Sequence, residues 1–271
     1  MNWNKIYVIL ENTMAKEWRN RFLIFLFILT VAVILLVNVV MDYIGQIPGI
    51  LLDATLANKK LYIFYYIINS WNIFLAIIMG VNCVKSDLNE GVYGQILSFP
   101  VKRIEYLLSR IFGTSIIVLL YYLLSILLAL SVFAFSSEGQ VFIDPGLFLS
   151  LAPNFILIVT SVTLTVLISL FLPKISALIT TFVLVLLISS SNSSYGDLGT
   201  EYLFNDLSFF KSVGLMLHFI LPHIGIINGM ATDIAMGRDL YVSIGWEILH
   251  LGLTLGAIFV LLLLALRKRE T

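Results

Sequence analysis

The chain has 271 residues, of which 60% are apolar and only 12% are charged. Soluble domains are about half apolar and about a quarter charged, and a water-soluble fold of this length cannot hide so many apolar side chains. The composition therefore excludes an ordinary soluble enzyme and favours a protein whose solvent is the lipid bilayer. The net charge is zero, so no nucleic acid is expected as a partner, and the single cysteine excludes a disulfide framework.

Residues 4–20 form a polar lead-in before the first apolar run. Ile6, Leu10, Met14 and Trp18 recur at steps of four, while charged and amide side chains occupy other directions. This pattern predicts an amphipathic helix at the membrane surface. Such a helix could anchor the chain in the interface, bind a partner, or do both. The lead-in lacks the short apolar run and small-residue cleavage site of a signal peptide, so we expect it to be retained.

Six apolar runs predict membrane-spanning helices, because a helix needs about 20 apolar residues to cross the hydrocarbon layer. They cover about residues 22–41, 61–84, 111–135, 147–172, 175–191 and 246–266. The predicted fold is an all-α integral membrane protein with one transmembrane domain over residues 1–271.

The connection between the fifth and sixth spans, residues 189–245, is the longest one without a span. Its serine-rich start, residues 189–194, predicts a flexible tether. A seventh apolar run, residues 212–232, contains His218, Pro222 and His223. Because proline interrupts a helix, this run predicts short re-entrant or interfacial helices instead of a span.

The distribution of Lys and Arg among the loops predicts the orientation in the membrane, because these residues concentrate in short cytoplasmic loops. With six spans both termini share one side, and placing them in the cytoplasm leaves only Lys59, Lys60, Lys211 and Arg238 outside. The other twelve of the sixteen basic residues then lie inside: Lys5, Lys16, Arg19, Arg21, Lys85, Lys102, Arg103, Arg110, Lys174, Arg267, Lys268 and Arg269. We therefore expect a multi-pass protein of the bacterial inner or plasma membrane with cytoplasmic termini.

The longest polar stretch on the predicted cytoplasmic side is residues 85–110. Ser86 or Asp87 is expected to cap a short helix, Gly91 to allow a bend, and Pro100 to end the segment. A short helix lying across the membrane face is one reading. The other is an ordinary loop whose basic residues follow the topology rule.

The sequence gives little sign of catalysis. It contains no G-x-x-x-x-G-K-[ST] phosphate loop. The apolar cores of the six spans, of which the sixth is 248–266, contain no Asp, Glu, Lys or Arg that intramembrane catalysis or proton coupling would use. His218 and His223 are five residues apart around Pro222 and do not share a helix face, so we expect interfacial hydrogen bonds and no metal site. The chain is predicted to be no enzyme, to hold no cofactor, and to take its energy from elsewhere.

Two short patterns carry a resemblance to a known family. The first is K-E-W-R-N-R at residues 16–21, and the second is D-x-x-E-G at 87–91, followed by L-S-x-P-V-x-R at 97–103 and Y-L-L-x-R at 106–110. With the six-span layout, they resemble the type-2 ABC transporter permeases, especially the group that includes the nitrous-oxide-reductase maturation permease.

The resemblance implies both a partner and an arrangement. In that family the lead-in and the loop between the second and third spans contact a separate ATP-binding subunit, and two permease halves face each other around the substrate route. The positions so implied here are Lys16, Glu17, Asp87, Glu90, Gly91, Pro100 and Arg103. His218, Pro222 and His223 would belong to an external re-entrant cap. The implied partners are two ATPase subunits carrying ATP and Mg²⁺, a second permease copy or a paralogue, and membrane lipid.

Three functions follow as hypotheses. The first is the permease subunit of an ATP-driven ABC exporter for a hydrophobic or amphipathic substrate such as a drug, lipid or peptide. The second is an accessory permease for metalloenzyme maturation, although one thiol and dispersed histidines disfavour a metal cargo. The third is a non-transporting membrane subunit that assembles with other proteins.

Overall fold

The computed structural model describes residues 3–18, 21–45, 54–135, 145–195, 208–239 and 243–268, and within these ranges all regular structure is helical. The helices are α1 Trp3–Trp18, α2 Arg21–Gly45, α3 Ala54–Cys83, α4 Lys85–Asn89, α5 Val92–Ser98, α6 Arg103–Phe135, α7 Pro145–Leu149, α8 Leu151–Phe171, α9 Lys174–Tyr195, α10 Phe209–Ile220, α11 Ile224–Ala235 and α12 Ile244–Lys268.

Six helical segments in the described residues are long and apolar enough to cross a membrane. They are α2, α3, α6, α7 with α8, α9 and α12. The predicted all-α architecture with six candidate spans is therefore confirmed, and the chain is a multi-pass membrane protein by this criterion. Helices α3 and α6 begin seven and eight residues before the apolar runs that predicted them, because polar residues at their first turns continue the backbone hydrogen bonding.

The serine-rich segment at residues 189–194 is not a tether. It continues α9 to Tyr195, and the hydroxyls of Ser193 and Ser194 donate to the carbonyls of Ser189 and Ser190, four residues earlier, at 3.0 and 2.9 Å. Serine that bonds back to its own helix satisfies its hydroxyl without leaving the helical conformation. The tether prediction was wrong for this reason.

Helices α3 and α8 form the centre of the bundle, whereas α2 and α12 bury few of their residues. Gly80 of α3 faces α8 so closely that a Cβ atom there would lie 2.9 Å from Thr165 Cβ. Small residues at such contacts let membrane helices gain van der Waals packing where the surrounding lipid offers no hydrophobic gain. The central pair is the support for the polar clusters at both ends.

The lead-in helix α1 packs chiefly on α6. Gly113 of α6 permits this approach, since a Cβ atom there would lie 3.0 Å from Thr13 Cβ. The buried side chains of α1 are Ile6, Thr13 and Glu17, whereas Tyr7 is exposed. The face of α1 that packs on the bundle is therefore more polar than the apolar stripe suggested.

Residues 85–98 form two short helices, α4 and α5, instead of one. Neither Ser86 nor Asp87 caps α4; its N-cap residue is Val84, without a side-chain hydrogen bond. The Ser86 hydroxyl instead donates to the Asn82 carbonyl at 2.8 Å, and the Asp87 carboxylate has other partners. Gly91 precedes α5 with φ of 71°, a left-handed conformation that glycine adopts readily.

Helices α10 and α11 are bent by 67° relative to each other. The break includes Pro222, as the sequence predicted, and α11 packs on α8 and α9. Gly225 of α11 makes this possible, since a Cβ atom there would lie 3.0 Å from the Ser189 backbone of α9. This bent pair, residues 209–235, is therefore part of the packed bundle.

Candidate functional site

A buried carboxylate ties α1 to α4 and α6. Asp87 is completely buried, and its Oδ2 atom lies 2.5 Å from Nη2 of Arg110 and accepts a hydrogen bond of 2.8 Å from the Tyr106 hydroxyl. Its Oδ1 atom accepts from Lys16 Nζ at 3.1 Å. Two cations and a hydroxyl thus surround one carboxylate. We call Thr13, Lys16, Asp87, Tyr106 and Arg110 the Asp87 cluster.

The cations of this cluster have further partners on α1 and α4. Arg110 donates from Nη1 to the Thr13 hydroxyl at 2.9 Å, and Lys16 donates to the Ser86 hydroxyl at 3.0 Å. The Arg110 guanidinium lies 5.7 Å from the centre of the Tyr106 ring. Because a buried charge is costly without its partner, these contacts hold α1, α4 and α6 in one relative position.

Two lysines anchor the rest of the connection between α3 and α6. Lys5, near the start of α1, donates to the Pro100 carbonyl. Lys85 donates to the Ser169 carbonyl at 2.9 Å and to the Leu172 carbonyl, where α8 ends and a cation is favoured by the helix dipole. Helix α1 and residues 85–103 therefore form one connected surface, which we call the platform.

The seven residues implied as partner contacts do not share one environment. Lys16 contacts Asp87 and lies 3.9 Å from Glu90, so these three meet. Asp87 and Glu17 are buried. The exposed members are Lys16, Glu90, Gly91 and Pro100, and Arg103 is half-buried. Asp87 and Glu17 thus face the interior of this chain, and the exposed members supply its outer surface.

The roles of Tyr106 and Arg110 were missed by sequence reasoning, which noted them only as part of a pattern. Their spacing of four residues puts both on one face of α6, and that face meets Asp87. This spacing was the available signal. No feature of the sequence indicated that Thr13 of α1 would complete the cluster.

A second cluster lies at the opposite end of the bundle, beside the last turn of α9. The rings of His218 and His223 stack with centroids 4.4 Å apart, and those of His223 and His250 stack at 3.8 Å. These are the three histidines of the sequence, and we call them the histidine stack. His218 and His223 do not share a helix face, but the bend at Pro222 brings their rings together.

His223 is the central member of the stack. Its Nε2 atom lies 2.8 Å from the His218 carbonyl and its Nδ1 atom 2.6 Å from Glu247 Oε2. A carbonyl only accepts hydrogen bonds, so Nε2 carries a proton. Both ring nitrogens of His223 thus have an oxygen partner, one on α10 and one on α12.

The outer histidines connect this pair to α9 and α10. His218 Nδ1 lies 3.0 Å from Asn192 Oδ1, and His250 Nε2 lies 3.0 Å from the Phe219 carbonyl. Burial, with the neighbouring imidazoles of His223 and His250, lowers the pKa of His218 to about 4. The stack thus joins α9, α10 and α12, and its member His218 is favoured in the uncharged form.

The ring nitrogens of the stack do not converge on a common point. Three of them face carbonyl or amide oxygens, and one faces a carboxylate. Among the residues that the structure describes, no group of three or more His, Cys, Asp or Glu side chains is arranged to hold a metal ion. The arrangement is suited to hydrogen bonding between helices.

A third polar network holds α11 against the central helices. The Asn69 amide donates to Asn228 Oδ1, and the Tyr65 hydroxyl donates to the Ala231 carbonyl at 3.1 Å. Asn154 of α8 donates to the hydroxyls of Tyr65 and Tyr122 at 2.9 and 2.8 Å. The bent pair is therefore fixed to α12 by the histidine stack and to α3 by Asn69 and Tyr65, and Asn154 connects Tyr65 to α6 and α8.

Together these features define the class: an all-helical multi-pass membrane protein with a buried ion cluster at one end and a bent helix pair at the other. In comparisons with known proteins, no family model matches the chain and no curated protein matches it.

Proposed function

We propose that the chain is the membrane-spanning permease subunit of an ATP-driven ABC exporter. It works as a pair, with a second copy or a paralogue, and two separate ATPase subunits bind ATP and Mg²⁺ and dock on the platform. The platform faces the cytoplasm and α1 lies in the membrane interface, an orientation that the excess of Lys and Arg on this side favours. The exporter sits in the cell membrane and moves a hydrophobic or amphipathic substrate.

The Asp87 cluster is the observation that carries this proposal. A partner that moves the platform also moves α6, because Arg110 and Tyr106 of that helix contact the same carboxylate as Lys16 of α1. Rigid movement of packed helices is a common way to transmit a change from one site to another. A chain without its own nucleotide loop needs such a mechanical input.

The outer surface of the platform suits a protein partner. Phe99 is 67% exposed and stands between Ser98 and Pro100, with Glu90 and Gly91 also exposed. Exposed aromatic side chains surrounded by polar groups are typical of protein contact sites. In this proposal the ATPase subunit covers Phe99, while Asp87 positions the platform from inside.

The bent pair is proposed as the external re-entrant cap of the substrate route, with His218, Pro222 and His223 at its bend. Its contacts with α3, α8 and α9 fix it at the end opposite the platform. Its polar partners on α3 and α9 are amides and hydroxyls, whereas on the side of α12 it contacts the Glu247 carboxylate through His223. The side that faces α3 and α9 suits an uncharged or amphipathic substrate better than an ion. Helix breaks within the membrane are tolerated where protein covers the backbone, and Pro222 and His223 at this break are buried.

Purification of the tagged chain from its native host in mild detergent tests the partnership. We expect a stoichiometric ATP-binding subunit to be identified with it by mass spectrometry. Phe99→Ser should reduce its recovery several-fold, whereas Met216→Ser, an exposed change on α10, should not. Reproducible absence of such a subunit from intact wild-type protein would refute the proposal and favour a non-transporting assembly subunit.

Gly91→Ala should weaken coupling between ATP hydrolysis and transport while membrane insertion stays normal. The substitution has open space, but a φ of 71° costs an L-residue on the order of 1 kcal/mol, or about fivefold in population. Gly94→Ala is the matched control, because it also has open space and lies within α5 without a positive φ. Proteoliposomes holding the complex would be assayed for substrate-stimulated ATPase activity; equal activity in both variants would count against the platform as a lever.

A further inference from the structure

A groove at the platform end of the bundle lies between the start of α6 and the end of α12. It has a volume of about 690 Å³ and is lined by Val101, Lys102, Arg103, Ile104, Leu263, Leu264 and Arg267. Three of these residues are basic, four are apolar and none is acidic. We propose that this groove binds an anionic phospholipid.

The basic residues lie where a lipid phosphate would be. Lys102 immediately precedes α6, Arg103 is the first residue of α6, and Arg267 lies in the last turn of α12. Both helices are candidate spans, so these positions lie at the boundary between hydrocarbon and headgroups. Basic pockets between spanning helices at this depth are a recognised arrangement for anionic headgroups.

The apolar residues distinguish a lipid from a free anion. Ile104 is 43% and Leu264 is 56% exposed. Leu263 and Leu264 precede Arg267 by four and three residues, so they lie on the same side of α12, one turn deeper in the membrane. An acyl chain along this surface would continue directly from a phosphate held by Arg267. The groove thus matches the two parts of a phospholipid in the right order.

Glu105 is the acidic residue in the first turn of α6. Glu105 is buried, and its Oε2 atom accepts a hydrogen bond of 3.1 Å from the backbone N–H of Lys102. That contact secures the first turn of α6, as in one half of a capping box. The exposed side chains of Lys102 and Arg267 therefore present net positive charge to the groove.

Native mass spectrometry of the full chain in detergent, titrated with phosphatidylglycerol or phosphatidylcholine, tests the site. We expect tighter binding of the anionic lipid. Arg267→Gln and Lys102→Gln should each weaken it about fivefold, the contribution of one basic residue near an anionic surface. Lys174→Gln is the control, because Lys174 is an exposed basic residue at the first turn of another span, outside the groove; it should change binding less than twofold.

Three results would overturn the inference. One is equal binding of both lipids, which would indicate a general lipid-facing surface. Another is a gain in thermal stability from inorganic phosphate as large as that from phosphatidylglycerol, which would remove the role of the acyl chain. The third is unchanged lipid binding by Arg267→Gln with loss of a co-purifying protein, which would make the groove a protein contact. Lipid binding is measured on this chain alone, without an ATPase subunit or a transport assay, so its result is independent of the proposed transport function.

Discussion

Asp87→Asn is expected to lower the free energy of unfolding by about 3–5 kcal/mol, the usual cost of removing one partner from a buried ion pair. The Arg110 side chain is only 5% exposed and would lose the carboxylate at 2.5 Å. The Thr13 hydroxyl and the Tyr106 ring would remain beside it, but neither carries a negative charge. The variant should therefore lose the attachment of α1 to α6 first.

Glu90→Gln is the matched control for this effect. Glu90 also faces Lys16, at 3.9 Å, but its side chain is 59% exposed. Exposed ion pairs contribute roughly 0–1 kcal/mol, so this variant should unfold like the wild type. Thermal unfolding in detergent, followed by circular dichroism, would compare the two. Equal stability of Asp87→Asn and Glu90→Gln would contradict the structural role given to Asp87.

A double variant separates a lost attraction from an uncompensated charge. Asp87→Asn combined with Arg110→Gln removes both buried charges, and we expect it to recover a large part of the stability lost in Asp87→Asn. The reason is that most of the cost of breaking a buried pair comes from the charge that stays behind. A double variant less stable than Asp87→Asn would show that Arg110 stabilises the fold through its other contacts.

The spans were predictable because the bilayer imposes them. An apolar run of about 20 residues has few other stable environments, and each of the six runs became a helix in the structure. The break at Pro222 was predictable for an equally local reason, since proline removes a backbone donor and clashes with the preceding turn. Local chemistry was sufficient for both.

The Asp87 cluster was beyond such reasoning, because its members come from distant parts of the chain. Lys16 and Asp87 are separated by 71 positions, and Thr13 and Arg110 by 97. Only the packing of α1 across α6 brings them together. The resemblance placed Asp87 at a partner contact, and local pattern made it a helix cap; the structure buries it among cations.

The histidine stack shows the same limit at the other end. Helical spacing correctly separates His218 from His223 along one helix, but the direction of the 67° bend decides that their rings meet. His250 comes from α12, and its contact with the Phe219 carbonyl depends on how that helix lies against α10. No sequence period contains this information. Hydrogen bonding was predicted, whereas the stacking was not.

Acidification from pH 7.5 to pH 5 is expected to destabilise the protein by on the order of 2 kcal/mol through the histidine stack. The pKa of folded His218, about 4, is below the usual histidine value near 6.5. Between these values the unfolded chain binds more protons than the folded one, so stability falls as pH falls through this range. At a pH above the usual histidine pKa, His218 is neutral in both the folded and the unfolded chain, and its contribution to the free energy of unfolding is fully present.

The groups facing the stack support this direction. Glu247 is the carboxylate in contact with the stack, and its partner there is His223. Asn192 Oδ1 lies beside His218 Nδ1 and the Tyr195 ring lies 6.4 Å from the His218 ring, and neither is a carboxylate. A proton added to His218 would therefore place a cation without a carboxylate partner of its own against the His223 ring.

The measurement is the midpoint of thermal unfolding in detergent at pH 7.5, 6.5 and 5. All three histidines of the chain belong to the stack, and histidine is the side chain that ordinarily titrates in this window, so the wild-type slope reports on this cluster. His218→Gln should flatten the slope, while Glu90→Gln at the opposite end should retain it. If His218→Gln keeps the wild-type pH dependence, the proton is taken up by another group, and the neutral state of the stack is not what holds α10 to α9 and α12.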